Sequence, residues 1–286
     1  GLCIATLGPG ATNLATGVGS AFLDRSPMIA ITCNLNTPQL GRRLQMLIDH
    51  HALFKPITKA TLAARHDNVR EVMEEAIRIA MTEPRGPVHI DLPEDVSLAE
   101  AKGAPTGAIA ATPLQTVATE AQLAMAAEIL AGARRPVVVI GTSAMRMGDP
   151  SLLKAFVEKH NLPFATTTMA KGLIDDDHPL AIGCIERACR QIQRQFIRSC
   201  DLIVGLGYDT IEVEYEAWAG ETPVLAVDIE PPDVADSVNL KGAVVGELDD
   251  AIGRLTALAA APNAWTAAEL QAHRTGFQKA LRPPVA

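Results

Sequence analysis

Short apolar runs alternate along this chain with stretches whose apolar residues recur at helical spacing. Leu2 to Leu7, Met28 to Thr32 and Val88 to Leu92 read as strands. Between the last two, Val69, Val72, Met73, Ala76, Ile77, Ala80 and Met81 trace the i, i+3, i+4, i+7 stripe of a helix. A strand that is apolar on both faces has to be buried on both. A sheet achieves this when its strands run parallel and helices cover each side. The alternation therefore specifies an α/β chain.

The pattern breaks once. From Ala99 to Val117 the sequence dissolves into Ala, Gly, Thr and Pro, which reads as a linker. It divides a first domain, 1–98, from a second, 118–262, with 263–286 as a closing helix and the start of a further linker. The second domain opens on a capping-box pair, Thr119 with Gln122, and Gly132 closes that helix after Leu130. Pro136 to Ile140, Leu162 to Thr166, Asp201 to Leu206 and Pro223 to Ile229 supply strands. Asp149-Pro150 is expected as cap and first residue of a helix. Two doubly wound, parallel-sheet domains follow, the second of them Rossmann-like. The chain opens at Gly1 directly into an apolar strand and ends in Leu281-Arg282-Pro283-Pro284, so it is expected to be a stretch of a longer protein.

Charge and cysteine content narrow the function. With 25 Lys+Arg against 33 Asp+Glu the net charge is −8, and no basic stripe stands out, so nucleic acid and anionic membrane are not expected partners. No apolar run is long enough to cross a bilayer. Cys3, Cys33, Cys184, Cys189 and Cys200 are odd in number and include no Cys-x-x-Cys, which fits neither a metal clamp nor a disulfide framework. A reduced, cytoplasmic protein without a metal site of its own is the expectation.

The densest motif is Gly8-Pro9-Gly10-Ala11-Thr12-Asn13, leading into a helix expected to begin near Thr12. Two glycines around a proline make a tight, rigid turn where backbone can approach a ligand. Gly17 and Gly19 in the helix each cost about 1 kcal/mol against Ala, which suggests close packing against a neighbour. By spacing alone a plain strand-to-helix turn is an equal reading.

Taken with Ala21 to Thr32, Leu44-Gln45-Met46, Lys55 to Lys59 and Arg85 to Asp95, in that order, the motif resembles the pyrimidine-binding domain of the thiamine-diphosphate enzymes, and the acetolactate synthase branch most of all. The second domain resembles their central domain through Arg135 to Gly141, Leu162-Pro163, Asp177 to Leu180 and Asp201 to Asp209. The resemblance implies that Gly8, Pro9, Gly10 and Asn13 line the cofactor's aminopyrimidine pocket and that Gln45 faces its reacting end as the catalytic candidate; a polar surface role for Gln45 is the alternative. His50-His51 reads as a solvated pair at a helix end.

The same resemblance implies thiamine diphosphate and Mg²⁺ as cofactors, a 2-keto acid substrate and a homodimer or homotetramer. The implied reaction decarboxylates pyruvate and passes the hydroxyethyl unit to a second 2-keto acid. The family's ring-activating Glu and its Mg²⁺–diphosphate motif fall outside this stretch, so the stretch alone is expected to be inactive. The segments Ile182 to Arg187 and Gly207 to Trp218 depart from the flavin-holding members, so bound FAD is not expected. The alternatives are a thiamine-diphosphate decarboxylase or carboligase with another acyl donor, and a non-catalytic nucleotide-binding module.

Overall fold

A computed structural model describes residues 1–100, 116–185 and 190–282. The chain forms two compact units, Gly1–Leu114 and Gln115–Ala286. Residues 101–115 of the expected linker, together with Cys189 and Pro283-Pro284, lie outside the described residues. Both sheets are parallel throughout and carry helices, so the α/β fold expected from the apolar runs is the fold found.

In the first unit the strands β1 (Leu2–Ala5), β2 (Met28–Asn34), β3 (Ala60–Ala63) and β4 (Pro87–Pro93) pair in the order β1-β2-β4-β3. The helices are α1 (Pro9–Leu23), α2 (His50–Phe54), α3 (Val69–Met81) and α4 (Glu94–Leu98). Period-two alternation sorts the side chains. Ile29, Ile31, Val88 and Ile90 enter a core with Ala76 and Ala80 of α3. Ala30 enters the opposite core with Phe54 of α2 and Ala11 and Val18 of α1.

Three local expectations change here. The first strand stops at Ala5, and among the described residues it pairs with β2 alone, with Leu2 55% and Ile4 61% exposed. The helix starts at Pro9, earlier than Thr12, since Gly8 at φ +58° makes the turn and proline's fixed φ suits the first helical position. Gly17 meets nothing and Gly19 only Ile57 at 3.9 Å, so close packing is not what these glycines serve.

The second unit contains β5 (Pro136–Ile140), β6 (Phe164–Thr166), β7 (Ala181–Cys184), β8 (Leu202–Leu206), β9 (Val224–Asp228) and β10 (Leu240–Val245). Its helices are α5 (Glu120–Gly132), α6 (Ser151–His160), α7 (Arg190–Ile197), α8 (Leu248–Thr256) and α9 (Ala267–Leu281). The strand order β10-β9-β8-β5-β6-β7 is that of a doubly wound sheet, with the direction of winding reversing between β5 and β8. Every residue of β5 is buried. Val138 and Ile140 face one core while Val137 and Val139 face the other. The Thr119–Gln122 capping box forms as the sequence specifies. Asp149 is displaced by one position. The helix begins at Ser151, whose N–H donates to Asp149 Oδ1 at 3.1 Å. Among the described residues no helix is long and apolar enough to cross a membrane.

Candidate active site

The Gly8-Pro9-Gly10 turn joins the C-terminal end of β1 to α1. Gly8 is buried, and a Cβ placed on it would lie 2.5 Å from the carbonyl oxygen of Met46. Only glycine satisfies both that contact and the positive φ. The segment carrying Gln45 is thereby held against the turn, with Met46 itself at φ +65°. A Cβ on Gly10 would meet Thr6 Cγ2 at 2.6 Å, so this glycine lets the first helical turn close down on the strand end. Pro9 and Asn13 are both exposed and stand four residues apart on one face of α1, while Gln45 is exposed on the segment beside Gly8. The turn therefore presents an apolar ring and a side-chain amide to solvent from a fixed backbone.

What fixes that backbone is the residue pair read as solvated. His50 is only 1% exposed, and the Gly8 N–H donates to its Nε2 at 3.3 Å. An amide N–H can only donate, so Nε2 carries the lone pair and Nδ1 the proton. Nδ1 lies 3.0 Å from both Asp91 Oδ1 and Thr32 Oγ1. Asn34 Nδ2 donates to both oxygens of the same carboxylate, at 3.0 and 2.9 Å. Thr32 Oγ1 also lies 2.8 Å from Nε2 of His89, whose Nδ1 is 2.7 Å from Thr61 Oγ1 and whose ring stacks on Phe54 with centroids 4.4 Å apart. His51, half-exposed, reaches Thr61 Oγ1 through Nδ1 at 2.5 Å.

The register explains the convergence. Thr32 pairs with Asp91 across β2 and β4, Ala30 with His89, and Thr61 of β3 with His89, so one sheet face brings these polar groups together beneath α2. Burial sets their charges. It drives the pKa of His89 down to about 3, keeping that ring neutral. Burial also raises the Asp91 carboxyl, but hydrogen bonds from His50 and Asn34 outweigh it and hold Asp91 below the usual carboxylate range. The turn thus rests on an ionised carboxylate through the His50 imidazole.

Thr32, Asn34, His50, His89 and Asp91 escaped the motif reading, although one signal was present. Val88-His89-Ile90-Asp91-Leu92 places two titratable residues on alternate positions of a strand that must be buried, and buried polar groups must find partners. Among the described residues no group of three or more His, Cys, Asp or Glu is disposed to hold a metal ion. Cys3, Cys33 and Cys200 are free thiols.

Comparison with known proteins gives these features a lineage. The family profile described as the thiamine pyrophosphate enzyme N-terminal TPP binding domain matches residues 1–53, which include the turn, Gln45 and His50. That of the thiamine pyrophosphate enzyme central domain matches residues 123–255. A probable acetolactate synthase large subunit of Methanocaldococcus jannaschii is 33% identical over 266 residues, covering 90% of this chain and 45% of the relative. The acetolactate synthase isozyme 1 large subunit of Escherichia coli K12 is 30% identical over 261 residues, covering 90% of this chain and 46% of the relative. The acetolactate synthase large subunit of Corynebacterium glutamicum is 29% identical over 261 residues, covering 89% of this chain and 42% of the relative. The chain spans a little under half the length of these relatives. With both profiles matched in the order of the two structural units, the chain belongs to the thiamine pyrophosphate enzymes and carries their N-terminal and central domains.

Proposed function

We propose that the protein containing this chain is a carboligase of the acetolactate synthase type, which decarboxylates pyruvate and transfers the hydroxyethyl unit to a second 2-keto acid. The observation that carries this reading is the Gly8 turn, locked from below by His50 and presenting Pro9 and Asn13 on one face. The names of the relatives supply the reaction class.

The residues fit an aminopyrimidine. The Pro9 ring offers a flat apolar surface, the Asn13 amide a donor and an acceptor, and the glycines let the backbone approach. When bound, thiamine diphosphate supplies a nucleophilic carbon and an electron sink for decarboxylating 2-keto acids. Gly8, Pro9, Gly10 and Asn13 hold and orient the ring, and Gln45, on the segment packed against Gly8, faces the reacting end. Asp91 lies beneath the turn and is committed to His50 and Asn34, so in this reading it positions and exchanges no proton with the cofactor. Mg²⁺ and the carboxylate that activates the ring come from other parts of the protein. A pocket shared between subunits requires at least a dimer, which we place in the cytoplasm.

The test is acetolactate formation from pyruvate by the intact protein with thiamine diphosphate and Mg²⁺. Asn13→Ala is expected to raise the KM for thiamine diphosphate, and Gln45→Ala to lower kcat. Decarboxylation of some other 2-keto acid with no acetolactate from pyruvate would replace this reading with a carboligase or decarboxylase of different acyl donor.

A further inference from the structure

In a doubly wound sheet a nucleotide binds where the winding reverses, in the crevice outside the strand ends, with its phosphates on backbone N–H groups of the first loop. In the second unit that place lies between β5 and β8. The loop after β5 is Gly141-Thr142-Ser143, and the loop after β8 is Gly207 to Trp218.

The chain has filled this crevice from within. A Cβ on Gly141 would lie 2.5 Å from Tyr208 Cα and 2.7 Å from the Gly207 carbonyl oxygen, so the two loops touch backbone to backbone. Thr142 and Ser143 are 4% and 3% exposed. Tyr208, whose backbone meets Gly141, packs with Tyr215 and Trp218, the ring centroids 4.5–5.6 Å apart. Trp218 Nε1 donates to the Tyr208 hydroxyl at 2.8 Å, which donates to the Val213 carbonyl at 2.5 Å.

Within this plug the Glu212 carboxyl gathers the loop donors, and burial raises its pKa above the usual range. The Thr142 N–H donates to Glu212 Oε2 at 2.8 Å, and the Met169 N–H, from the loop after β6, donates to Oε1 at 3.3 Å. The Thr167 hydroxyl bonds the same carboxylate. Arg146 sits on the same turn, its Nη2 donating to Ser143 Oγ at 3.3 Å and its Nη1 to the Thr142 carbonyl at 3.4 Å. Two backbone N–H groups from adjacent strand ends, a hydroxyl and a nearby guanidinium are the donor set of a phosphate site. Here the two N–H groups and the hydroxyl hold the Glu212 carboxyl, while the guanidinium bonds Ser143 and the Thr142 carbonyl beside them.

We propose that Glu212 is an internal stand-in for a phosphate and is the residue that denies the second unit a nucleotide cofactor. The Glu212 side chain satisfies the donors that a nucleotide diphosphate would need, while the Gly207-Tyr208 backbone closes on Gly141 beside them. This inference is independent of the reaction proposed for the first unit.

The experiment uses the intact protein and the variant Glu212→Ala, with thermal unfolding and calorimetry in inorganic phosphate against chloride at equal ionic strength, and with FAD. The wild type is expected to respond to neither phosphate nor FAD. Glu212→Ala is expected to unfold at lower temperature in chloride, to be restored toward the wild type by millimolar phosphate, and to bind phosphate calorimetrically. If the alanine variant does not fold, Glu212→Gln replaces it, because its amide keeps one acceptor oxygen and releases one of the two N–H donors to phosphate. Micromolar FAD binding by the wild type, or a folded variant indifferent to phosphate, overturns the proposal.

Discussion

Asp228 provides a test that isolates one group in the second unit. It ends β9 and is 8% exposed, with the Ile229 N–H donating to Oδ1 at 2.6 Å and the Ser143 hydroxyl as a second partner. Burial pushes its carboxyl from 3.8 up to about 7, because those hydrogen bonds and Arg146 do not offset the lost hydration. A carboxyl that binds its proton more tightly when folded stabilises the fold fully below the unfolded pKa, and that contribution disappears as pH rises through the folded one. The window therefore runs from about pH 4 to about pH 7. Linkage gives a slope of about −1.4 kcal/mol per pH unit inside it, and about 2.5 kcal/mol lost between pH 5 and 8.

The chain's two tryptophans, Trp218 and Trp265, are 3% and 8% exposed, and both lie in this unit, so urea unfolding followed by their fluorescence reads it selectively. Burial lowers the pKa of His160 and His273, which makes stability rise with pH through the acidic range and opposes Asp228. The quantity to measure is therefore the difference between wild type and Asp228→Asn at pH 5, 6, 7 and 8. The wild type should lose about 2.5 kcal/mol relative to the variant across that range. Parallel curves for the two proteins would show that Asp228 is not held protonated, and the reasoning would fail.

The first unit yields two further predictions. His50→Leu removes the acceptor for the Gly8 N–H and the ring donor facing Asp91, so it should destabilise the unit by about 3 kcal/mol and speed hydrogen exchange at Gly8. A loss under about 1 kcal/mol in urea unfolding followed by circular dichroism would count against the network. Gly8→Ala combines a positive φ with a Cβ 2.5 Å from a backbone oxygen. It should cost about 2 kcal/mol or more and raise the KM for thiamine diphosphate, and an unchanged KM with intact stability would remove the turn from the site.

Much of the architecture was legible in the sequence because it rests on local or periodic physics. Continuous apolar runs such as Pro136 to Ile140 can be buried only in a covered parallel sheet, and the Thr119–Gln122 box marks its helix start without tertiary help. The short strands Ala60–Ala63, Ala181–Cys184 and Leu240–Val245 were not legible. Each owes its strand state to a neighbouring strand, and its own pattern is too short to declare a period.

The sequence by itself determined the fold class and the Gly8-Pro9-Gly10 turn, since each follows from residue type and spacing. Tertiary structure alone decided the use of His50 and Glu212. A histidine in His50-His51 and a glutamate among Asp209, Glu212 and Glu214 look like solvated surface charge in one dimension. The parallel register of β2 and β4 placed Thr32 and Asp91 opposite one another, where His50 from α2 could reach both. The reversal of winding between β5 and β8 carried Glu212 onto the N–H of Thr142, seventy residues away along the chain. A buried donor takes whatever acceptor the fold brings within 3 Å, and that choice is not written in either segment alone.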